Sequence, residues 1–237
     1  MFDFCCSENE EVGQQVISVS VAEPVLPAVV PSRAAEVVDL RSEFAPAPAV
    51  ESLKSPAAAG ATLAVELDRS GTVQDIGLGL DSTDEELCII KEISEGMVMN
   101  YNKTCPAGKA IKIYDRIISF NGCLTGSLTE FTELLADLED EETLTMEVVQ
   151  PTETRVLIQK PGEFGMILNY KRASVGLLIK DICDGLLNDW NLANPDTPIQ
   201  SGDLIVAVNG VTDNALSLLE QIKESSAPVL TVMRYAL

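Results

Sequence analysis

Apolar and polar residues alternate and cluster in an order that occurs twice along the chain. In the later copy, residues 155–159 read as a strand, Lys160-Pro161-Gly162-Glu163 as a turn shaped by proline and glycine, and residues 164–168 as a second strand. A polar break at 170–174 precedes an apolar run at 175–182, and residues 185–190 suit a short helix that stops near Pro195. Residues 202–210 then form a strand ending in an Asn209-Gly210 turn. Asn214 is placed to cap a helix running to about Lys223, with Leu216, Leu218, Leu219 and Ile222 on its apolar side, before a last strand at 229–233. The earlier copy keeps this order: strands at 62–68, 78–82 and 87–93, a helical turn at 96–101, a strand at 113–120, a helix at 128–138 and a strand at 143–149. Such a mixture is α+β and buries one amphipathic helix against a small, partly open β-barrel.

The two copies share residues as well as pattern. Ile90-Lys91-Glu92-Ile93 recurs as Ile179-Lys180-Asp181-Ile182, Gly96 as Gly185, and Phe120-Asn121-Gly122 as Val208-Asn209-Gly210. Asn102 and Pro106 keep the spacing of Asn191 and Pro195, each Asn follows an aromatic residue (Tyr101, Trp190), and Asp115-Arg116-Ile117 answers Asp203-Leu204-Ile205. A period of about ninety residues is too long for a solenoid unit and implies two domains, each with its own core. The boundaries expected are 61–150 and 154–237. Only residues 150–154 lie between the outer strands, so little motion between the domains is expected.

Hydrophobic residues make up 46% of the 237 residues and charged ones 22%, enough apolar surface for two compact cores. The net charge of −21 is unevenly spread: −6 over 1–60 (nine acidic, three basic), −12 over 61–150 (eighteen, six) and −3 over 151–237 (ten, seven). Nucleic acid is not an expected partner, because phosphate binding needs a basic footprint. No stretch approaches the roughly 18–20 apolar residues that span a bilayer, and no basic-then-apolar leader is visible, so a cytoplasmic location is expected. The six cysteines form no CxxC pair and the chain has no histidine, which points to reduced thiols, no metal and no cofactor.

Residues 1–60 mix Ala, Val and Pro with acidic residues and read as a disordered arm. Within it, alternating Val16-Ile17-Ser18-Val19-Ser20-Val21 is a candidate short strand for a sheet edge, and 34–44 a candidate helical turn or two. Cys5 and Cys6 are candidates for S-acylation, which would give a weak peripheral membrane tether; Phe2 excludes N-myristoylation.

Each copy resembles a PDZ domain. The resemblance rests on Gly202-Asp203-Leu204-Ile205-Val206-Ala207-Val208-Asn209-Gly210, close to that family's G-D-x-I-x-x-V-N-G strand, and on Gly77-Leu78-Gly79-Leu80, close to its G-L-G-F loop. It implies a non-catalytic adaptor or scaffold that captures protein C-termini or internal extended peptides by strand addition, with loop amides holding a terminal carboxylate. The implied peptide-binding residues of the first copy are Leu78, Gly79 and Leu80, with Arg69 in the loop and Leu128 and Thr132 on the helix. In the second copy they are Phe164, Gly165 and Met166, with Lys160 in the loop and Ala215 and Leu219 on the helix. Glu163 stands where that family has its first glycine, beside an incoming carboxylate, and Lys160 is near enough in sequence to offset it. Members that read Ser or Thr in the ligand start the longer helix with His; Leu128 and Ala215 stand there instead, which implies a hydrophobic preference. Tyr114 replaces the Gly before Asp115, and Asn102 and Asn191 are expected to cap or close a loop. The alternatives are a degenerate tandem serving as a structural or oligomerisation unit, and the regulatory portion of a protease system. The absence of His leaves no Ser-His-Asp triad, so an enzyme is not expected.

Overall fold

Strands form where apolar residues fall at every second position, because successive side chains leave a strand on opposite faces. Leu63, Val65 and Leu67 are buried and their neighbours exposed; on the strand they pair with, Leu144, Met146 and Val148 are buried and Thr143, Thr145 and Glu147 exposed. The computed structural model describes residues 13–16, 60–69, 75–84, 86–125, 127–137 and 141–235. In chain order they form β1 (Gly13–Val16), β2 (Thr62–Asp68), β3 (Leu78–Asp81), β4 (Cys88–Ile93), α1 (Met97–Thr104), β5 (Arg116–Phe120), β6 (Cys123–Leu124), α2 (Leu128–Asp137) and β7 (Thr143–Val149). There follow β8 (Thr152–Leu157), β9 (Met166–Tyr170), β10 (Leu177–Ile182), α3 (Leu186–Ala193), β11 (Leu204–Val208), α4 (Ala215–Glu224) and β12 (Val229–Arg234).

The strands make two open antiparallel sheets, β2-β7-β5-β4-β3 and β8-β12-β11-β10-β9-β1. Read from their first-strand ends these paths match strand for strand; β1 is added beyond β9, where no described strand pairs the far side of β3, and β6 pairs β5 off the path of the first sheet. Each sheet carries a core that includes one face of its longer helix. Phe120 and Phe131 meet edge to face at 5.3 Å and fasten α2 to the first; Leu218 and Ile222 of α4 are fully buried in the second. Asn214 caps α4, its side chain accepting from Leu216 N and Ser217 N.

The elements expected within the two copies are all present, with ends moved for local reasons. The strand expected from 113 starts at Arg116, because Tyr114 adopts a left-handed turn (φ 74°) and Asp115 Oδ2 accepts the Lys112 amide. Asp203 does the same with Gln200 N. The strand expected at 164–168 runs instead over Met166–Tyr170, because residues 163–165 are taken up in a loop. Asn102 and Asn191 close loops as expected: each side chain both donates to and accepts from one backbone group, Ile111 and Ile199, all at 2.8 Å. Within the arm expected to be disordered, Gly13–Val16 form a strand on a sheet edge; the remainder of the candidate strand at 16–21, the candidate helix at 34–44, and Cys5 and Cys6 lie outside the described residues.

Only Gln150 and Pro151 separate β7 from β8, and the two halves share an apolar cluster. Val149, Leu178, Leu204, Val206 and Tyr235 are buried in it, with Leu87, Tyr114, Ile118, Val175 and Met233 packed around them. Polar contacts flank the cluster: Asp81 Oδ2 accepts Val175 N at 2.7 Å, Thr83 and Ser174 hydroxyls meet, Lys171 Nζ donates to Ser82 O and Lys180 Nζ sits 3.0 Å from Asp84 Oδ2. Burial pushes Asp84 up, but the Glu86 amide together with the Lys180 contact and charge outweighs it and holds the carboxyl below its ordinary value.

Asp203 behaves oppositely. Burial raises its pKa from 3.8 to about 6, against the opposing effect of the Gln200 and Tyr235 amides and the Arg234 charge. The folded chain therefore holds this proton more tightly than the unfolded one, and this group's contribution to stability falls as pH rises from about 4 to about 6, where both forms become ionised. At about 1.4 kcal/mol per pH unit the full loss is ~3 kcal/mol. Urea unfolding at a series of pH values is expected to show that decline in the native chain and its absence in Asp203→Asn, the difference between the two curves isolating this carboxyl.

Candidate functional site: two loops and two sheet edges

The loop ahead of β9 is held by backbone contacts to the start of α3. Leu186 N donates to Glu163 O, Leu187 N to Phe164 O and Cys183 N to Gly165 O. The first half repeats this set with Met97 N to Asp75 O, Val98 N to Ile76 O and Ser94 N to Gly77 O. Gly165 and Gly77 have nearly the same left-handed backbone (φ 67° and 72°), and each backs onto a later glycine of its half, Gly185 and Gly96, so closely that a Cβ on either partner has no room.

These contacts align Asp75-Ile76-Gly77-Leu78 with Glu163-Phe164-Gly165-Met166. The loop of the first half thus lies two residues earlier than the Gly77-Leu78-Gly79-Leu80 run that carried the resemblance, and Gly79 and Leu80 belong to β3 itself. The sequence held the signal: acidic, apolar, Gly, apolar occurs in both copies. Glu163 is accordingly no departure of the second copy alone. Asp75 occupies the same place, and its carboxylate already accepts the Gly77 amide at 2.9 Å.

Beyond each loop runs a strand with an outer edge. Pairing makes Leu78 and Leu80 the counterparts of Met166 and Leu168: Leu78 faces Ile93 as Met166 faces Ile182, and Leu80 faces Ile90 as Leu168 faces Ile179. The longer helices begin at Leu128 and Ala215, as the sequence indicates, which puts Thr132 and Leu219 one turn on. In the first half Leu78, Leu80 and Leu128 are half-buried and Thr132 is exposed; in the second Met166, Leu168, Ala215 and Leu219 are all buried. Phe164 is fully buried in the second core.

The two loop cations have different surroundings. Lys160 Nζ donates to the carbonyls of Ile222 (2.8 Å) and Lys223 (2.9 Å) at the end of α4 and stands 5.5 Å from the Phe164 ring centre. It serves the helix C-terminus, where cations are favoured, and its partial burial lowers its pKa. Arg69 follows β2, and its amide donates to Glu142 O. Among the described residues no cluster of three or more His, Cys, Asp or Glu could hold a metal, and no helix is long and apolar enough to cross a membrane.

Sequence reasoning missed the shared cluster between the halves and the partner of β1. Neither has a local signal, since the residues concerned come from strands far apart in the chain.

Matching sheet orders, the repeated glycine-backed loops and the position of the longer helix define the class: the chain is a tandem of two PDZ-like repeats with an α+β fold. Solved structures similar to it include the PDZ domain of a choanoflagellate GIPC, at 22% identity over 39% of this chain and 92% of that one, TM-score 0.31. INAD PDZ45, in its complex with the NG2 peptide, is 21% identical over 76% of this chain and 92% of that one, TM-score 0.31. In its complex with NORPA CC-PBM the figures are 22%, 76% and 94%, TM-score 0.32. No family model matches the chain, and no curated protein matches it.

Proposed function

We propose that this chain is a non-catalytic adaptor that binds extended segments of partner proteins, C-terminal or internal, by adding them as a strand to β3. The observation that carries this reading is the outer edge of β3, which no described residue pairs, beside the half-buried Leu78, Leu80 and Leu128. Unpaired amides and carbonyls on a sheet edge are a template for another strand, and alternate apolar side chains supply selectivity. Hydrophobic ligand residues suit Leu128, and the acidic first half favours basic residues elsewhere in the ligand, mainly through association rate. Asp75 already holds the Gly77 amide, so internal segments and amidated peptides compete well with free C-termini at this loop.

A library of hydrophobic peptides, each made as free acid and as C-terminal amide, tests the reading by titration against the full chain. Leu128→Asp is expected to weaken binding at least about tenfold, ~1.4 kcal/mol. Unchanged affinity would mean that the start of α2 does not face the ligand.

A further inference from the structure

We infer that the second PDZ-like groove is taken by the chain's own N-terminal strand, leaving β3 as the edge open to other proteins. The inference deepens the peptide-binding reading above, since it assigns the same kind of site in the second half to a named occupant, an internal segment centred on Gly13–Val16.

Three observations converge. β1 pairs antiparallel with β9 in unbroken register, Gly13 opposite Tyr170, Gln14 opposite Asn169, Gln15 opposite Leu168 and Val16 opposite Ile167. The later residues of β1 thus lie toward the loop at Glu163–Gly165, which is the direction an added peptide takes when its C-terminal end approaches that loop. Second, the groove residues differ in exposure between halves that otherwise match: Met166, Leu168, Ala215 and Leu219 are buried where Leu78, Leu80 and Leu128 are half-buried and Thr132 is exposed. Third, the loop suits an occupant without a terminal carboxylate. Glu163 lies exposed in it and Lys160 is committed to the carbonyls of α4, so an anion arriving there would meet a carboxylate while that lysine is engaged. The chain continues past Val16 and brings no such charge.

A segment tethered to its own site competes at an effective concentration on the order of mM, so an outside peptide of ordinary micromolar affinity binds the second groove far more weakly than it would an empty one. The tandem then presents one ready groove and one held closed by the arm.

The full-length chain and its Gln14→Pro/Gln15→Pro variant test this directly. Consecutive residues of a strand direct their amides to opposite sides, so one of the two prolines necessarily removes a donor facing β9. Hydrogen exchange is expected to show protection of residues 166–170 falling at least tenfold in the variant while residues 204–208 keep theirs. A fluorescein-labelled, C-terminally amidated peptide of residues 10–21 is expected to find one more site on the variant than on the native chain. Equal protection of β9 in the two proteins, or equal peptide stoichiometry, would overturn the inference. Failure of the library titration at β3 would instead sink the proposed adaptor role and leave both of these readouts decisive.

Discussion

Gly165→Ala is expected to lower the stability of the second half by at least ~3 kcal/mol. A left-handed backbone costs a residue with a Cβ about 1–2 kcal/mol by itself. At Gly165 (φ 67°) that atom would also lie 2.5 Å from Asp184 O and 2.7 Å from Cys183 O, both backbone atoms that cannot rotate away. Relief requires the loop to move off the start of α3, which breaks the bonds of Glu163, Phe164 and Gly165 carbonyls to Leu186, Leu187 and Cys183 amides. Trp190, the chain's one tryptophan, lies in α3, so its fluorescence during urea unfolding reports this half. Gly79→Ala is the control. Its Cβ would meet the Glu92 side chain at 3.1 Å, and no left-handed backbone is involved. A small effect at Gly79 beside a large one at Gly165 confirms that Gly77, not Gly79, is the counterpart in the first half; equal effects would contradict the alignment.

Tyr235→Ala is expected to uncouple the halves, at a cost of about 3–5 kcal/mol, the range for deleting a buried aromatic side chain. Tyr235 is 6% exposed among Val149, Leu178, Leu204 and Val206, and its hydroxyl donates to Tyr114 O at 2.7 Å. The ring therefore joins the last strand of one half to the turn before β5 of the other. With the ring present, Trp190 fluorescence and far-ultraviolet circular dichroism should report one shared urea transition. Without it, dichroism should split into two while Trp190 follows one of them. Tyr235→Phe keeps the apolar contact and leaves the Tyr114 carbonyl without this donor, a loss of about 1 kcal/mol with a single transition retained. A single transition in Tyr235→Ala would show that the polar contacts around Asp81 and Lys180 suffice to couple the halves.

Most of the secondary structure was legible in the chain because its causes are local. Alternation at Leu63, Val65 and Leu67 needs only neighbours to declare a strand, Asn214 caps α4 through amides two and three residues on, and Asn121-Gly122 and Asn209-Gly210 turn because both residues accept left-handed angles. The loop was legible in kind and misplaced by two residues in one copy, because Gly77-Leu78-Gly79-Leu80 looks more like the family pattern than Asp75-Ile76-Gly77-Leu78 does. What identifies Gly77 is its contact with Gly96, nineteen positions further on in the sequence. Lys160 read as a loop cation because proximity in sequence was its only visible property; its actual acceptors are carbonyls at the far end of α4.

By itself, the sequence determined that this protein has two copies of one α+β unit and where most of their strands and helices begin and end to within a few residues. Those properties follow from periodicity and from turn chemistry, which act over a few residues. Only the tertiary structure decided that Tyr235 and Leu178 bury one half against the other and that β1 lies along β9 while no described residue pairs the outer edge of β3. Which strand meets which edge depends on shape and hydrogen-bond pairing between segments more than a hundred residues apart, and a backbone amide carries no mark in the sequence of the partner it will find.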